Sequence, residues 1–198
     1  MQERILQEAS DLFVKSGVRS VTMDEISETL GISKRTLYEN FSNKEELLRE
    51  CISYQHSIYE KQKKELLNSV ENPLEIIHIH ITNAFKIISR IHPNFMNDIR
   101  KFHPNIWKEV FIPQRKKNIL FTQEIIKRGI KHGYFRNDIN PEINANIAHM
   151  QFQLLEDNSL DEFSRKEVFE HIVMGFIRGM ATEKGLKMIN QLFDGENK

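Results

Sequence analysis

The sequence lacks a long uninterrupted apolar run, and it contains a single cysteine among its 198 residues. A transmembrane helix needs about 20 apolar residues, so no membrane partner is expected. No N-terminal segment combines a basic start, an apolar stretch and a small-residue cleavage site. The lone Cys51 has no second cysteine for an internal disulfide, and a secreted fold rarely leaves a cysteine unpaired. We therefore expect a cytoplasmic protein.

An excess of charge of one sign is also missing, because 28 lysines and arginines balance 28 acidic residues. Over residues 1–46, six basic side chains face nine acidic ones. Positive charge is concentrated locally between residues 33 and 44, where Lys34, Arg35 and Lys44 outweigh Glu39. If this segment meets nucleic acid, non-specific affinity should be modest, and specificity should rest on a few side chains.

The signatures of common enzyme classes are not found in the sequence. We find no paired carboxylates, glycine-rich phosphate loop or nucleophile elbow. Eight histidines are present, but His78 and His80 are two residues apart and point to different sides of a helix, unlike chelating pairs four apart. We predict no catalytic residue, no metal and no cofactor. A small helical enzyme or metal sensor that uses the histidines of the C-terminal region is the alternative.

Two short helices joined at Gly31 form the most informative pattern. Thr22 with Glu25 has the spacing of a capping box, so a helix should begin at Met23. Gly31 can adopt the left-handed conformation that ends this helix, and Ser33 can cap the next one. Helices separated by so short a turn cross steeply, as in a helix-turn-helix.

The second of these helices should present polar side chains outward. Ile26, Leu30, Ile32, Leu37 and Phe41 supply the apolar contacts between the helices, and the remaining residue types are those that bond phosphates and base edges. Lys34, Arg35 and Thr36 are candidates for base contacts, but Arg35 could instead lie along the DNA backbone and is assigned no base. The full predicted DNA-binding set is Thr22, Ser33, Lys34, Arg35, Thr36, Tyr38, Asn40 and Lys44.

These residues resemble a known family. Ile26-Ser27, Leu30-Gly31-Ile32-Ser33, Thr36-Leu37-Tyr38, Phe41 and Lys44-Glu45-Glu46-Leu47, preceded by Ala9, Phe13 and Gly17, are similar to the N-terminal DNA-binding domain of the TetR family of bacterial transcriptional regulators. Two positions depart from the common pattern, since Ser27 replaces an alanine and Arg35 a glycine. The resemblance implies a homodimer whose C-terminal helices form a four-helix bundle and whose effector domain controls the two DNA-binding heads.

The rest of the chain is predicted to be helical. A helix beginning after Ser42 and ending near Asn68 would be about 40 Å long, longer than a small three-helix domain is wide. We expect Lys61, Lys63 and Lys64 to stay in water on this helix. Pro73 should begin a buried helix that is apolar on nearly every side, and Pro113 should kink or break a later one.

Two further groups of residues are functional candidates. Bulky aromatics and methionines between prolines suit a helical ligand cavity, although an ordinary core has the same composition. We select His80, Phe85, Phe95, Phe102, His103, Trp107, Phe121 and Met150 as an effector pocket, whose low charge favours an apolar or aromatic effector. A dimer interface is predicted at Ile143, Ile147, Met150, Leu154, Val168, Ile172, Gly175, Phe176 and Gly179, although these stripes could equally pack onto their own chain.

The sequence thus predicts an all-α protein. An N-terminal three-helix helix-turn-helix DNA-binding domain should occupy residues 1–46, and a helical effector-binding and dimerisation domain residues 47–198. The expected function is a DNA-binding transcriptional regulator, a repressor released from a palindromic operator by a small effector of unknown identity. Besides the enzyme alternative, an effector-independent helix-turn-helix protein fits the same sequence.

Overall fold

The computed structural model describes residues 1–152, 160 and 162–193, and across these residues the fold is helical. Paired β structure in the described part of the chain amounts to one antiparallel bridge between Phe135 and Ala181. None of the helices that the structure describes is both long and apolar enough to cross a membrane. The helices are α1 (Gln2–Ser16), α2 (Met23–Leu30), α3 (Lys34–Asn40), α4 (Lys44–Ser69), α5 (Pro73–Ile88), α6 (Phe95–Phe102), α7 (Pro104–Ile106), α8 (Ile112–Lys131), α9 (Pro141–Phe152), α10 (Arg165–Met180) and α11 (Glu183–Phe193).

The chain divides into two compact units. The first contains residues 1–61 and 90–114, and the second contains residues 62–89 and 115–198. The long helix α4 contributes residues to both. The predicted functional boundary after residue 46 stays a prediction. By packing alone, the first unit extends past residue 46 to residue 61 of α4, and it also includes residues 90–114.

The predicted helix-turn-helix has the expected local structure. Thr22 Oγ1 accepts a hydrogen bond from the Glu25 amide at 3.2 Å, and α2 begins at Met23 as predicted. Gly31 ends α2 in the left-handed conformation, with φ of 63°. Ile26 and Leu37 are fully buried in the core of the first unit, so the apolar side of the motif faces inward.

Helix α4 begins at Lys44, one residue later than a start directly after Ser42. Asn43 Oδ1, rather than Ser42, accepts the hydrogen bond from the helix, at 2.9 Å from the Glu46 amide. Ser42 donates its own amide to the Glu46 carboxylate at 2.7 Å. Asparagine and serine are equally good caps, and sequence spacing does not decide between neighbours of this kind.

Residues 90–114 complete the core of the first unit. Phe95, Ile99 and Ile106 from this segment are buried in the same hydrophobic cluster as α1–α3. The His92 amide donates to the Val14 carbonyl at 2.7 Å, and the His92 ring lies where a Cβ on Gly17 would approach within 3.1 Å.

Polar and charged side chains also join this segment to α4 and to the connection between α1 and α2. Arg49 pairs with Glu109, and His103 Nδ1 lies 3.7 Å from a carboxylate oxygen of Glu45. The Arg19 guanidinium sits 4.8 Å from the centre of the Phe102 ring.

The kink predicted at Pro113 takes the form of a wider helical turn. Residues Trp107–Phe111 form a π-helical turn, in which the Ile112 amide donates to the Trp107 carbonyl five residues earlier. Proline cannot donate a hydrogen bond to the preceding turn, and π-turns are one way a helix absorbs such a defect. The chain therefore continues into α8 without a break.

The second unit confirms the predicted helix start at Pro73 and corrects one prediction of burial. Pro73 is the first residue of α5, and Ser164 with Glu167 forms a complete capping box at α10. The expectation that α5 is buried on nearly every side is wrong, because Ile79 is 38% exposed and Ile87 is 49% exposed.

Candidate nucleic-acid interface

Helix α3 is capped at its beginning and points polar residues to solvent. Ser33 Oγ accepts from the Thr36 amide at 3.0 Å and lies 2.8 Å from the Thr36 hydroxyl. The Asn40 side-chain amide donates to the Thr36 carbonyl at 2.8 Å. Leu37 is fully buried, whereas the Tyr38 side chain on the next position is 49% exposed. One apolar anchor thus fixes the helix, and the polar side is free to meet a ligand.

The two basic side chains of α3 each contact a carboxylate of the same unit. Lys34 Nζ lies 2.7 Å from Asp24 on α2, and Arg35 Nε lies 2.8 Å from Glu39 one turn later on α3. The hydrogen bond and charge of Asp24 raise the pKa of Lys34 above its ordinary value. All four side chains are more than half exposed, so water and other anions can compete for these contacts.

Lys44 lies at the first residue of α4 and is half-buried. Its ammonium is 3.4 Å from the Arg19 carbonyl. Burial lowers the pKa of Lys44, although the charges of Asp98 and Glu25 oppose this shift. The side chain therefore extends along the protein surface in this structure, and a phosphate contact at this position stays a prediction.

Ser27, the departure from the usual alanine, fits within the motif. The residue is 4% exposed, and its hydroxyl donates to the Asp24 carbonyl at 2.8 Å. A buried hydroxyl that forms a hydrogen bond carries little of the desolvation penalty of an unpaired one. The small-for-small replacement thus packs within the core of the first unit.

Comparison with known proteins places this arrangement in a family. Residues 5–51 match the family model described as bacterial regulatory proteins, tetR family. The HTH-type transcriptional regulator QacR of Staphylococcus aureus is 25% identical over 190 residues, which cover 91% of this chain and 98% of QacR. The N-terminal region of the chain thus matches the TetR family. The protein is accordingly a DNA-binding transcriptional regulator.

Two further relatives cover much of the chain. The HTH-type transcriptional repressor KstR2 of Mycobacterium tuberculosis is 22% identical over 142 residues, covering 70% of this chain and 71% of KstR2. The crystal structure of a TetR-family transcriptional regulator from Agrobacterium tumefaciens superposes with a TM-score of 0.75 at 19% identity, covering 91% of this chain and 97% of that one. At this identity the structural likeness supports the fold, which extends beyond the segment that the family model matches.

The predicted effector residues are divided between the two units. The first unit contains Phe95, Phe102, His103 and Trp107, and the second contains His80, Phe85, Phe121 and Met150. Phe95 belongs to the core of the first unit, at 6% exposure, which corrects its assignment to a ligand pocket. Sequence proximity to prolines does not distinguish a cavity from a core, and the aromatic content is the same in both.

A polar cluster that the sequence did not predict lies in the second unit. Lys63, expected in water, is 4% exposed, and its ammonium donates to Asn118 Oδ1 at 2.8 Å. The ammonium also lies 5.3 Å from the centre of the Phe121 ring, and the ring of the predicted residue His80 lies 4.7 Å from the same ring. The sequence signal that could have predicted this burial is helical spacing, because Lys63 is three residues before the apolar Leu66 and so lies on the same side of α4.

The remaining polar contacts of this region come from α8 and α9. His149 Nε2 lies 3.3 Å from the Thr122 hydroxyl. In the parts of the chain that the structure describes, His, Cys, Asp and Glu side chains do not gather in the groups of three or more that would hold a metal ion.

The predicted dimer residues fall into three groups. Ile143, Ile147 and Met150 are large apolar side chains of α9 with exposures of 57%, 41% and 60%. Val168 is buried in the core of its own unit, which corrects its assignment to an outward-facing stripe. Leu154 lies outside the described residues. On α10, Ile172 and Phe176 are half-buried, and Gly175 and Gly179 are exposed.

Proposed function

We propose that this regulator is a homodimeric repressor that binds a two-fold symmetric operator and is released by a small effector. It would act in the cytoplasm, where bacterial promoter DNA lies. The observation that carries the proposal is the geometry of α3, in which buried Leu37 anchors the helix and Lys34, Arg35 and Tyr38 face solvent. Such a helix can enter the major groove and bring these side chains to phosphates and base edges.

Exposed apolar residues support the homodimer. Ile143, Ile147 and Met150 lie at spacings of four and three residues on α9, and exposed isoleucine and methionine side chains at such spacing mark an interaction surface. On α10, a Cβ at Gly175 or Gly179 would meet nothing within 4 Å in the chain's own fold. These glycines therefore leave room for a neighbouring backbone. A dimer would place two recognition helices about 34 Å apart, the distance between successive major grooves.

The second unit is the proposed effector site. His80 and Phe121, both selected from the sequence, are in ring contact there, and Phe85 contacts Phe169 at a ring distance of 5.0 Å. QacR and KstR2 are named as a regulator and a repressor, and this chain matches most of the length of each. For release to occur, the effector must bind the DNA-free arrangement more tightly than the operator-bound one.

The test is selection of bound duplexes from a random DNA pool at near-physiological salt. The intact protein is compared with a Lys34→Ala, Tyr38→Ala double variant, whose substitutions are at exposed positions and should leave the fold unchanged. We expect an inverted repeat to be enriched by the intact protein alone. An enriched site without two-fold symmetry would contradict the dimeric operator, and equal enrichment by both proteins would contradict the role of α3.

A further inference from the structure

Three cationic side chains of the first unit lie around the connection between α1 and α2. Arg19 belongs to this connection, Lys44 is the first residue of α4, and Lys101 lies in the last turn of α6. Arg19 and Lys101 are exposed, and Lys44 is half-buried. The fold of the first unit thus brings cations from three distant parts of the sequence to one region of its surface.

Direct contacts join these residues to one another. The Lys44 ammonium donates to the Arg19 carbonyl at 3.4 Å. The Arg19 guanidinium lies 4.8 Å from the centre of the Phe102 ring, and the Lys101 ammonium lies 5.3 Å from the centre of the same ring. Cations at such distances are attracted to an aromatic ring. Phe102 is 44% exposed, so it holds both cations where solvent and a ligand can reach them.

Arg19 and Lys101 are available to an anion. Among the residues that the structure describes, neither side chain forms an ion pair with an acidic residue. The basic side chains of α3, in contrast, each contact a carboxylate of the same unit. Asp98 and Glu25 are acidic residues whose charges act on Lys44. A phosphate can therefore approach Arg19 and Lys101 without displacing a paired carboxylate, whereas Lys44 is the less available cation.

The position of these cations beside the helix-turn-helix indicates that the anion is DNA. Arg19 is three residues before Thr22, the N-cap of α2, and it contacts Lys44. Thr22 and Lys44 both belong to the predicted DNA-binding set, so Arg19 borders two residues of that interface. Lys101 extends the same positive surface to α6. Phosphate and sugar oxygens receive at least half of the hydrogen bonds between proteins and DNA, and arginine and lysine are frequent donors.

We propose that Arg19 and Lys101 bind phosphates of the DNA backbone and so make α6 part of the DNA interface. This inference rests on the proposed function, because it requires DNA to bind at the helix-turn-helix. Phe102 would position both cations, and the helix-turn-helix would then supply only part of the phosphate contacts. Residues 90–114 would thus have a role in DNA binding besides their place in the core of the first unit.

The experiment measures how the affinity for a labelled random-sequence duplex depends on salt. Arg19→Gln and Lys101→Gln each remove one positive charge from an exposed side chain. Each neutralised phosphate contributes about 0.9 to the slope of log K against log salt, so each variant should lower the slope by about 0.9 and the double variant by about 1.8. Lys61→Gln is the matched control, because it removes the same charge from an exposed position about 25 Å from Lys44 along α4.

Two results would overturn the inference. These are an unchanged slope in Lys101→Gln, and a decrease of the same size in Lys61→Gln. Thermal unfolding of each variant is measured beside the slope, because a lower melting temperature with an unchanged slope would assign Arg19 and Lys101 to folding alone. Lys101→Gln keeps the test decisive if Arg19→Gln does not fold.

Operator selection on the same wild-type protein separates this inference from the proposed function. Selection of an inverted repeat together with unchanged slopes in both variants would contradict this inference alone. Failure of selection would contradict the proposed function.

Discussion

The carboxylates that contact Lys34 and Arg35 on α3 should lower the affinity of the protein for DNA of any sequence. Asp24 lies 2.7 Å from the Lys34 ammonium, so a phosphate must displace it before Lys34 can neutralise the DNA. Asp24→Asn keeps the size and hydrogen-bonding ability of this side chain and removes its charge. We expect the variant to bind random-sequence duplex DNA more tightly than the wild type.

The magnitude follows from counterion release. Each phosphate neutralised steepens the dependence of log K on log salt by about 0.9. If Asp24→Asn frees Lys34 for one phosphate, the gain in affinity would reach about 15-fold at roughly 0.05 M salt and fall to about fourfold at roughly 0.2 M. Adding Glu39→Gln, which frees Arg35 in the same way, should bring the total change in slope to about 2.

Fluorescence anisotropy with a labelled random-sequence duplex over a salt series measures this slope. Glu28→Gln is the matched control, because it removes the same charge from an exposed position of α2. The reasoning is refuted if Asp24→Asn steepens the slope no more than Glu28→Gln does. In that case net charge, and not release of Lys34, would explain the affinity.

Four other expectations follow from the structure. Lys44→Ala should lower the salt slope of DNA binding by about one; an unchanged slope would exclude the phosphate contact. Gly129→Ala should destabilise the fold by about 2 kcal/mol in urea unfolding, because the new Cβ would lie 2.2 Å from the Phe135 ring. At Gly175 a Cβ would meet nothing within 4 Å, so Gly175→Ala should stabilise the chain by about 0.5 kcal/mol but weaken the dimer. The pKa of His80 is lowered to about 4 in the fold, so the contribution of His80 to the free energy of unfolding should be constant above about pH 6.5. This contribution should fall by up to about 3 kcal/mol as the pH decreases towards 4. In unfolding curves measured over a pH series, His80→Gln should remove this pH dependence. Burial raises the pKa of Cys51 to about 12, so a thiol reagent should label it only as fast as the first unit opens, and rapid labelling of the native protein would contradict this.

Local signals in the sequence predicted the helix-turn-helix well. Thr22, Gly31 and Ser33 act on backbone groups within a few residues, and each has its predicted role. Pro73 and the Ser164 capping box are local in the same sense. Their geometry depends on the chain nearby and not on the tertiary fold, so residue type and spacing suffice.

Long-range packing explains what the sequence did not predict. Lys63 is charged and was expected in water, but its buried side chain contacts Asn118 and Phe121 on α8. Phe95 was grouped with a ligand site because nothing in its local sequence shows that it packs with α1–α3. The contact between Lys34 and Asp24 likewise joins two helices, whereas the four-residue spacing of Arg35 and Glu39 was visible in the sequence.

The first unit is discontinuous along the chain, and this has a consequence for protein engineering and for recombination between relatives. A chimera that takes only the N-terminal helices from one protein would lose Phe95, Ile99 and Ile106, three buried members of the donor core. It would also separate Arg49 from Glu109. An exchange of DNA specificity between such regulators should therefore transfer two segments together, residues 1–61 and 90–114, or replace only exposed residues of α3.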